Sequence, residues 1–227
     1  MTPVVLLDVN ETLTDMSGLD AGFADVLTDV PGAPAPPVVR GLWFARLLRD
    51  GFAATAAGSS VAFADLARVQ AEQVLASLGH DDPATAAQHV LGGIAGLDLY
   101  PDAAPGLRRL AGSGARLVPF TNGATAVSDG AFERAGVTDL FETRLSVLDA
   151  GVWKPAGDAY RGAAERLGVT TADCTLVAVH PWDLMGAARA GCATAWVRRG
   201  TSWPAYFPAP DVEADDIGAL AEAMIGS

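Results

Sequence analysis

One device recurs along this chain: a short apolar run that stops at a polar residue. Pro3-Val4-Val5-Leu6-Leu7-Asp8 is the first, β-rich, apolar throughout and closed by a carboxylate. A run without polar alternation suits a central parallel strand buried on both faces. Similar runs occupy residues 115–121, 143–148, 175–180 and 194–198. Amphipathic helical patterns lie between them, at 103–111, 124–135, 158–167 and 184–190. The last three stop close to Gly136, Gly168 and Gly191, and glycine is a natural helix stop. Strands alternating with helices of this length predict right-handed βαβ units and an α/β fold with an open, Rossmann-like parallel sheet.

Residues 15–97 break the alternation. Helical patterns stand out at 42–50 and 59–78, with no convincing strand, and the stretch from Pro31 to Pro37 reads as a loop too proline-rich for helix. The simplest account is a helical insert after the first strand, covering the carboxyl ends of the sheet, where open α/β folds bind ligands. The expected division is a core of residues 1–14 and 98–227 and a helical domain of 15–97. Half of the 227 residues are hydrophobic and 19% are charged, enough for a sizeable core and too apolar for disorder.

A net charge of −12 argues against nucleic acid or an anionic membrane as partner. Any anion site must therefore be positive locally. Cys174 and Cys192 sit in apolar contexts, which suits a reducing cytoplasm and excludes a disulfide framework. No apolar run reaches the ~18 residues of a membrane helix. The first apolar stretch holds Asp8 and lacks a basic segment, so it does not read as a signal peptide. The expectation is a soluble cytoplasmic protein.

Four groups of residues carry chemistry. Asp8 ends the first run and leads into Val9-Asn10-Glu11-Thr12. A carboxylate at a strand's carboxyl end, on a tight turn, is placed as a nucleophile, although a turn or helix-capping Asp would look the same. Phe120-Thr121-Asn122-Gly123 offers a hydroxyl and an amide at a second strand end. Trp153-Lys154-Pro155 carries a lysine whose following proline favours extended backbone, or simply a surface lysine. Val179-His180-Pro181-Trp182-Asp183 follows another strand. No His/Cys cluster has zinc-ligand spacing. His80 and His89 read as surface residues of the insert, and Trp153 and Trp196 as core.

Together, in this order, these groups resemble the motifs of the haloacid dehalogenase superfamily across nearly the whole chain, and the insert resembles its C1-type helical cap. The resemblance implies that Asp8 attacks the substrate, that Thr121 and Lys154 hold the charged group, and that Asp183 assists a second step. Most members are magnesium phosphatases, with a second Asp two residues after the nucleophile and a metal-binding Asp four residues before the final one. Those positions are Asn10 and Val179 here. Asn10 cannot protonate a leaving alkoxide, and Asp8 with Asp183 alone is a poor donor set for magnesium.

Halide is a far weaker base than alkoxide and leaves without a proton donor. The chain is similar to the type II L-2-haloacid dehalogenases, which lack the second Asp. That likeness implies a hydrolase that displaces halide from short 2-haloalkanoic acids through an ester on Asp8, with no cofactor. It implies catalytic roles for Asp8, Lys154 and Asp183, and substrate contacts from Thr12, Trp43, Thr121, Asn122, Tyr160 and Trp182; His180 as a further catalytic group, and Asn10 and Phe44 as further substrate contacts, are expected from their positions beside these. It also implies a homodimer. Trp43, Trp182 and Trp203 could wall an apolar pocket and supply N–H donors; plain core packing is the other reading.

The chain departs from the family at three places. Phe44 stands where an Arg helps to receive halide. Ala178 and His180 replace a Ser and an Asn. Asn10 replaces a Tyr. His180 can exchange protons near neutral pH, so it could assist water attack beside Asp183 or donate to the departing halide; it could also merely cap a helix or pack on Trp182. Glu11 is read as turned to solvent or to a hinge of the insert and receives no role. Two further functions stay open: a magnesium-dependent phosphatase, and a drifted member that binds a small acid without turnover.

Overall fold

A computed structural model describes residues 3–226. The chain divides into two compact units, Met1–Asp15 with Asp98–Ser227, and Met16–Leu97. The first is an α/β unit. Its strands are β1 (Val4–Leu7), β2 (Arg116–Thr121), β3 (Leu145–Ser146), β4 (Cys174–Ala178), β5 (Ala193–Val197) and β6 (Val212–Ala214). They form one sheet in the order β3-β2-β1-β4-β5-β6, every neighbouring pair parallel. β1 thus lies in the middle, flanked by β2 and β4, where the direction of the connections reverses. Ligands of open α/β sheets bind at that crevice, and Asp8 is the first residue beyond β1.

All four residues of β1 are buried. Successive strand residues face opposite sides. Val5 and Leu7, with Val9, join a core that includes Leu107 and Leu110, Phe132, Ile217 and Leu220. Val4 and Leu6 are fully buried as well. This two-sided burial is why the run carries no polar alternation.

The unit's helices are α5 (Ala103–Gly112), α6 (Asp129–Arg134), α7 (Gly157–Arg166), α8 (Pro181–Ala190) and α9 (Ile217–Gly226). α5 and α9 approach so closely that a Cβ on Gly106 would lie 2.5 Å from Ile217 Cγ2 and 2.8 Å from its carbonyl. α8 stops at Gly191, whose φ of 95° is one that residues with a Cβ rarely adopt.

The second unit is helical: α1 (Asp20–Leu27), α2 (Pro36–Ala56), α3 (Phe63–Ser77) and α4 (Pro83–Gly92). Phe23, Val39, Trp43, Leu47, Val74, Leu75 and Val90 form its interior. Arg40 pairs with Asp20 at 2.7 Å. No helix among the described residues is long and apolar enough to cross a membrane.

Several boundaries differ from expectation for physical reasons. Pro36 and Pro37 do not exclude helix; they begin α2, where a missing N–H costs nothing. Pro181 likewise opens α8, three residues before the expected start. The run at 143–148 pairs over only two residues and then turns into a 3-10 segment. β6, α1, α4 and α9 were not anticipated. β6 is three residues long with only Ala214 buried, too short for a periodic signal.

Candidate active site

The sheet delivers four loops to one place. Asp8 and Thr12 follow β1. Thr121 closes β2, Lys154 lies beyond β3, and His180 and Asp183 follow β4, with Asp183 in the first turn of α8. A carboxylate there is favoured by the N-terminal dipole of the helix.

Lys154 is the hub. It is fully buried, and its Nζ lies 2.8 Å from Asp8 Oδ1, 2.7 Å from Asp183 Oδ2 and 2.9 Å from the Phe120 carbonyl oxygen. Its three N–H donors therefore have three acceptors. The other Asp8 oxygen, Oδ2, accepts from the Thr12 hydroxyl at 2.7 Å and faces His180 Nδ1 at 3.1 Å. Thr12 is itself oriented by the Val179 N–H, which donates to its Oγ1 at 3.0 Å. His180 Nε2 in turn faces Glu11 Oε2 at 3.0 Å, and its ring stacks on Trp182 with centroids 5.0 Å apart.

These contacts set the protonation states. Burial alone would raise the Asp8 carboxyl, but the Lys154 charge and the His180 hydrogen bond outweigh it and hold Asp8 well below the usual carboxylate range. Burial would lower His180, yet hydrogen bonds to Asp8 and Glu11 carry it up to about 9. Lys154 is raised, its own burial being outweighed by Asp183 and Asp8. Asp183 goes the other way: burial lifts its carboxyl against the pull of Lys154.

The remaining expected residues divide by where their atoms are engaged. Asn122 does not reach Asp8. Its Oδ1 accepts from the Lys154 N–H at 2.9 Å and its Nδ2 donates to the Lys154 carbonyl at 3.3 Å, so it clamps the lysine backbone. Thr121 is buried and its Oγ1 accepts from the Gly123 N–H. Tyr160 is fully buried, with its hydroxyl 2.5 Å from Asp183 Oδ1, so it orients that carboxylate rather than walling a pocket. Asn10 is half-buried on the loop after Asp8.

Trp43 and Phe44 belong to the helical unit. The Trp43 N–H donates to the Ala67 carbonyl at 2.9 Å and is therefore not an open donor, and its ring packs against Phe23 and Phe44. Trp203 meets Trp196 edge-on, and Trp153 is buried in the core.

Two contributors carried no expectation. Glu11 is one, turned to His180 rather than to solvent; the signal available was an acid three residues past Asp8 in a chain that also places a histidine three residues before Asp183. Gly186 is the other: a Cβ there would lie 2.6 Å from Pro155 Cβ and 2.7 Å from the Tyr160 hydroxyl. Arg199 closes the back of the site. It stacks over Tyr100, pairs with Asp102 and donates to the Thr12 carbonyl at 2.8 Å, while Asp102 also accepts from the Ile217 N–H.

A magnesium ion asks for an octahedron of oxygens. Here Asp8 Oδ1 and Asp183 Oδ2 share one ammonium, Asp8 Oδ2 is covered by a hydroxyl and an imidazole, and position 179 is a buried valine. This donor set does not fit the ion. Among the described residues no group of three or more His, Cys, Asp or Glu is arranged to hold a metal.

The sequence is 32% identical to (S)-2-haloacid dehalogenase 4A of Burkholderia cepacia over 114 residues, 50% of this chain and 49% of that protein. The match thus spans about half the length of that relative. It is 26% identical to (S)-2-haloacid dehalogenase 1 of Pseudomonas sp. strain CBS-3 over 90% of this chain and 85% of that one. The L-2-haloacid dehalogenase structure from Xanthobacter autotrophicus superposes with a TM-score of 0.84 at 26% identity, covering 100% of this chain and 99% of that one. Residues 2–191 match the family model described as haloacid dehalogenase-like hydrolase, and the chain belongs to that family.

Proposed function

We propose that this protein removes halide from short 2-haloalkanoic acids without a metal, through an ester on Asp8. One observation carries the reading. The Asp8 carboxylate is held ionised by Lys154, Thr12 and His180, while the position that would protonate an alkoxide is Asn10 and the donor set suits no divalent cation. Such a carboxylate is equipped to attack carbon and not to assist phosphoryl transfer. The likeness to (S)-2-haloacid dehalogenases supports the substrate class.

Asp8 Oδ1 faces a single donor and attacks the halogen-bearing carbon; the carbon–halogen bond breaks and its electron pair leaves on the halide. Lys154 keeps the resting pair ionised and the site positive within an acidic chain. Water then attacks the ester, and Asp183, its basicity raised by burial, takes the proton. Tyr160 orients Asp183, Asn122 orients Lys154, and Trp182 supports His180. Thr121 and Asn10 remain assigned to the surroundings of the substrate. The helical unit Met16–Leu97 is the family's cap domain, and the rest is the core. The two buried free thiols suit a cytoplasmic setting, and the family likeness suggests a homodimer.

The test is halide release from chloro-, bromo- and fluoro-acids with and without EDTA, beside a single turnover in H₂¹⁸O. Release that EDTA leaves unchanged, with label in the Asp8 peptide, is expected. Rapid hydrolysis of p-nitrophenyl phosphate that EDTA abolishes would establish the phosphatase alternative instead. No turnover of either substrate would leave a small-acid-binding protein.

A further inference from the structure

His180 is placed between two carboxylates, Asp8 Oδ2 at 3.1 Å from Nδ1 and Glu11 Oε2 at 3.0 Å from Nε2. Two ionised acceptors need two N–H donors, and only the imidazolium supplies both. Glu11 reaches the ring from a backbone φ of 60°, a left-handed conformation unusual for a residue with a side chain. Such conformations persist where the surroundings enforce them, and they cluster at functional sites.

Asp8 and Glu11 face the ring's nitrogens and Trp182 its plane. Lys154 lies on the far oxygen of Asp8, with Asp183 beyond. A cavity of about 300 Å³ opens on the Glu11 side, lined also by Tyr100 and Arg199. Arg199 is engaged by Asp102 and the Thr12 carbonyl.

We propose that Glu11 is a positioning residue that holds His180 as an imidazolium, so that Nδ1–H and the Thr12 hydroxyl form an oxyanion hole for hydrolysis of the Asp8 ester. This deepens the dehalogenase reading and rests on it. The water oxygen bonds to Asp8 Cγ and its proton passes to Asp183. The Cγ–Oδ2 π pair moves onto Oδ2, which already faces Thr12 Oγ1 and His180 Nδ1. On collapse that pair re-forms the carbonyl, the Cγ–Oδ1 bond breaks, and the departing alkoxide takes the proton from Asp183 as a 2-hydroxy acid. The Asp8 acid then loses its own proton to solvent. Donors fixed in advance at the position where charge develops need no reorganisation during the step.

The experiment compares the unaltered protein with Glu11→Gln. Imidazole NMR titration follows His180 without reference to activity. His180 is expected to titrate at about 9 in the unaltered protein, and about one pH unit lower in Glu11→Gln. Rapid-quench kinetics with 2-bromopropionate should show the halide burst kept within about twofold, while steady turnover falls about 10- to 100-fold and the Asp8 ester accumulates by mass.

An unmoved His180 titration overturns the positioning role. Burst and turnover falling together overturns the assignment to the hydrolytic step. Absence of halide release by the unaltered protein overturns the dehalogenase reading and the oxyanion role with it, and the titration alone then decides whether Glu11 holds the ring.

Discussion

The two oxygens of Asp8 face different worlds. Behind Oδ1, Lys154, Asp183 and Tyr160 are sealed, all with 0% exposure, while Asp8 itself keeps 5%. On the Oδ2 side the His180 side chain is 12% and the Glu11 side chain 30% exposed. The sealed side is a fixed array, because an ammonium between two buried carboxylates has no cheap alternative state. The open side can exchange protons with solvent. One carboxylate is thereby given a permanent counter-charge at one oxygen and a titrating donor at the other.

The sealed side breaks most completely at Lys154. Lys154→Met should lower halide release by about 10²-fold or more and cost about 3–5 kcal/mol, since two buried carboxylates then face each other. Urea unfolding beside an activity assay reads both. Unchanged activity would remove the lysine from the mechanism.

The open side should show itself as a pH dependence of stability. His180 is raised from 6.5 to about 9 on folding. The folded state therefore binds a proton that the unfolded state releases between those values. The stabilisation is fully present below pH ~6.5 and is lost as pH rises through about 9, by on the order of 2–3 kcal/mol. The thermal midpoint should fall across this window in the unaltered protein and lose that slope in His180→Gln. Equal slopes would place the loss elsewhere.

Smaller effects sharpen the contrast. Gly186→Ala should press on Pro155 and the Tyr160 hydroxyl and cost about 1–3 kcal/mol, with reduced turnover. Tyr160→Phe removes one hydrogen bond from Asp183, costing about 1 kcal/mol and moving the acid limb of the rate profile to higher pH, because the ionised carboxylate loses a donor. An acid limb that stays in place would leave Asp183 without a proton-transfer role.

The parallel sheet was legible because two-sided burial writes itself as uninterrupted apolar runs. Val4–Leu7 and Cys174–Ala178 are plain examples. β6 was not, since three residues hold no period, and neither was the start of α2, where proline's two meanings compete. In the site, residue types at strand ends pointed to Asp8, Lys154, His180 and Asp183, and the fold brings them within hydrogen-bond reach. What the sequence does not carry is which atom each side chain commits. Asn122 turns to a backbone, Trp43 to Ala67, and Glu11 to a ring 169 residues away.

The grip of Arg199 reaches far from the chemistry. Ile217 N–H holds Asp102, Asp102 holds Arg199, and Arg199 holds the carbonyl of Thr12, whose hydroxyl donates to Asp8. The final helix is thus wired to the reactive loop by three successive polar links. Trimming it, or fusing a bulky tag tightly against Ile217, would slacken the Thr12 carbonyl without touching a single active-site side chain; a protein engineer should regard that helix as working machinery rather than a spare end.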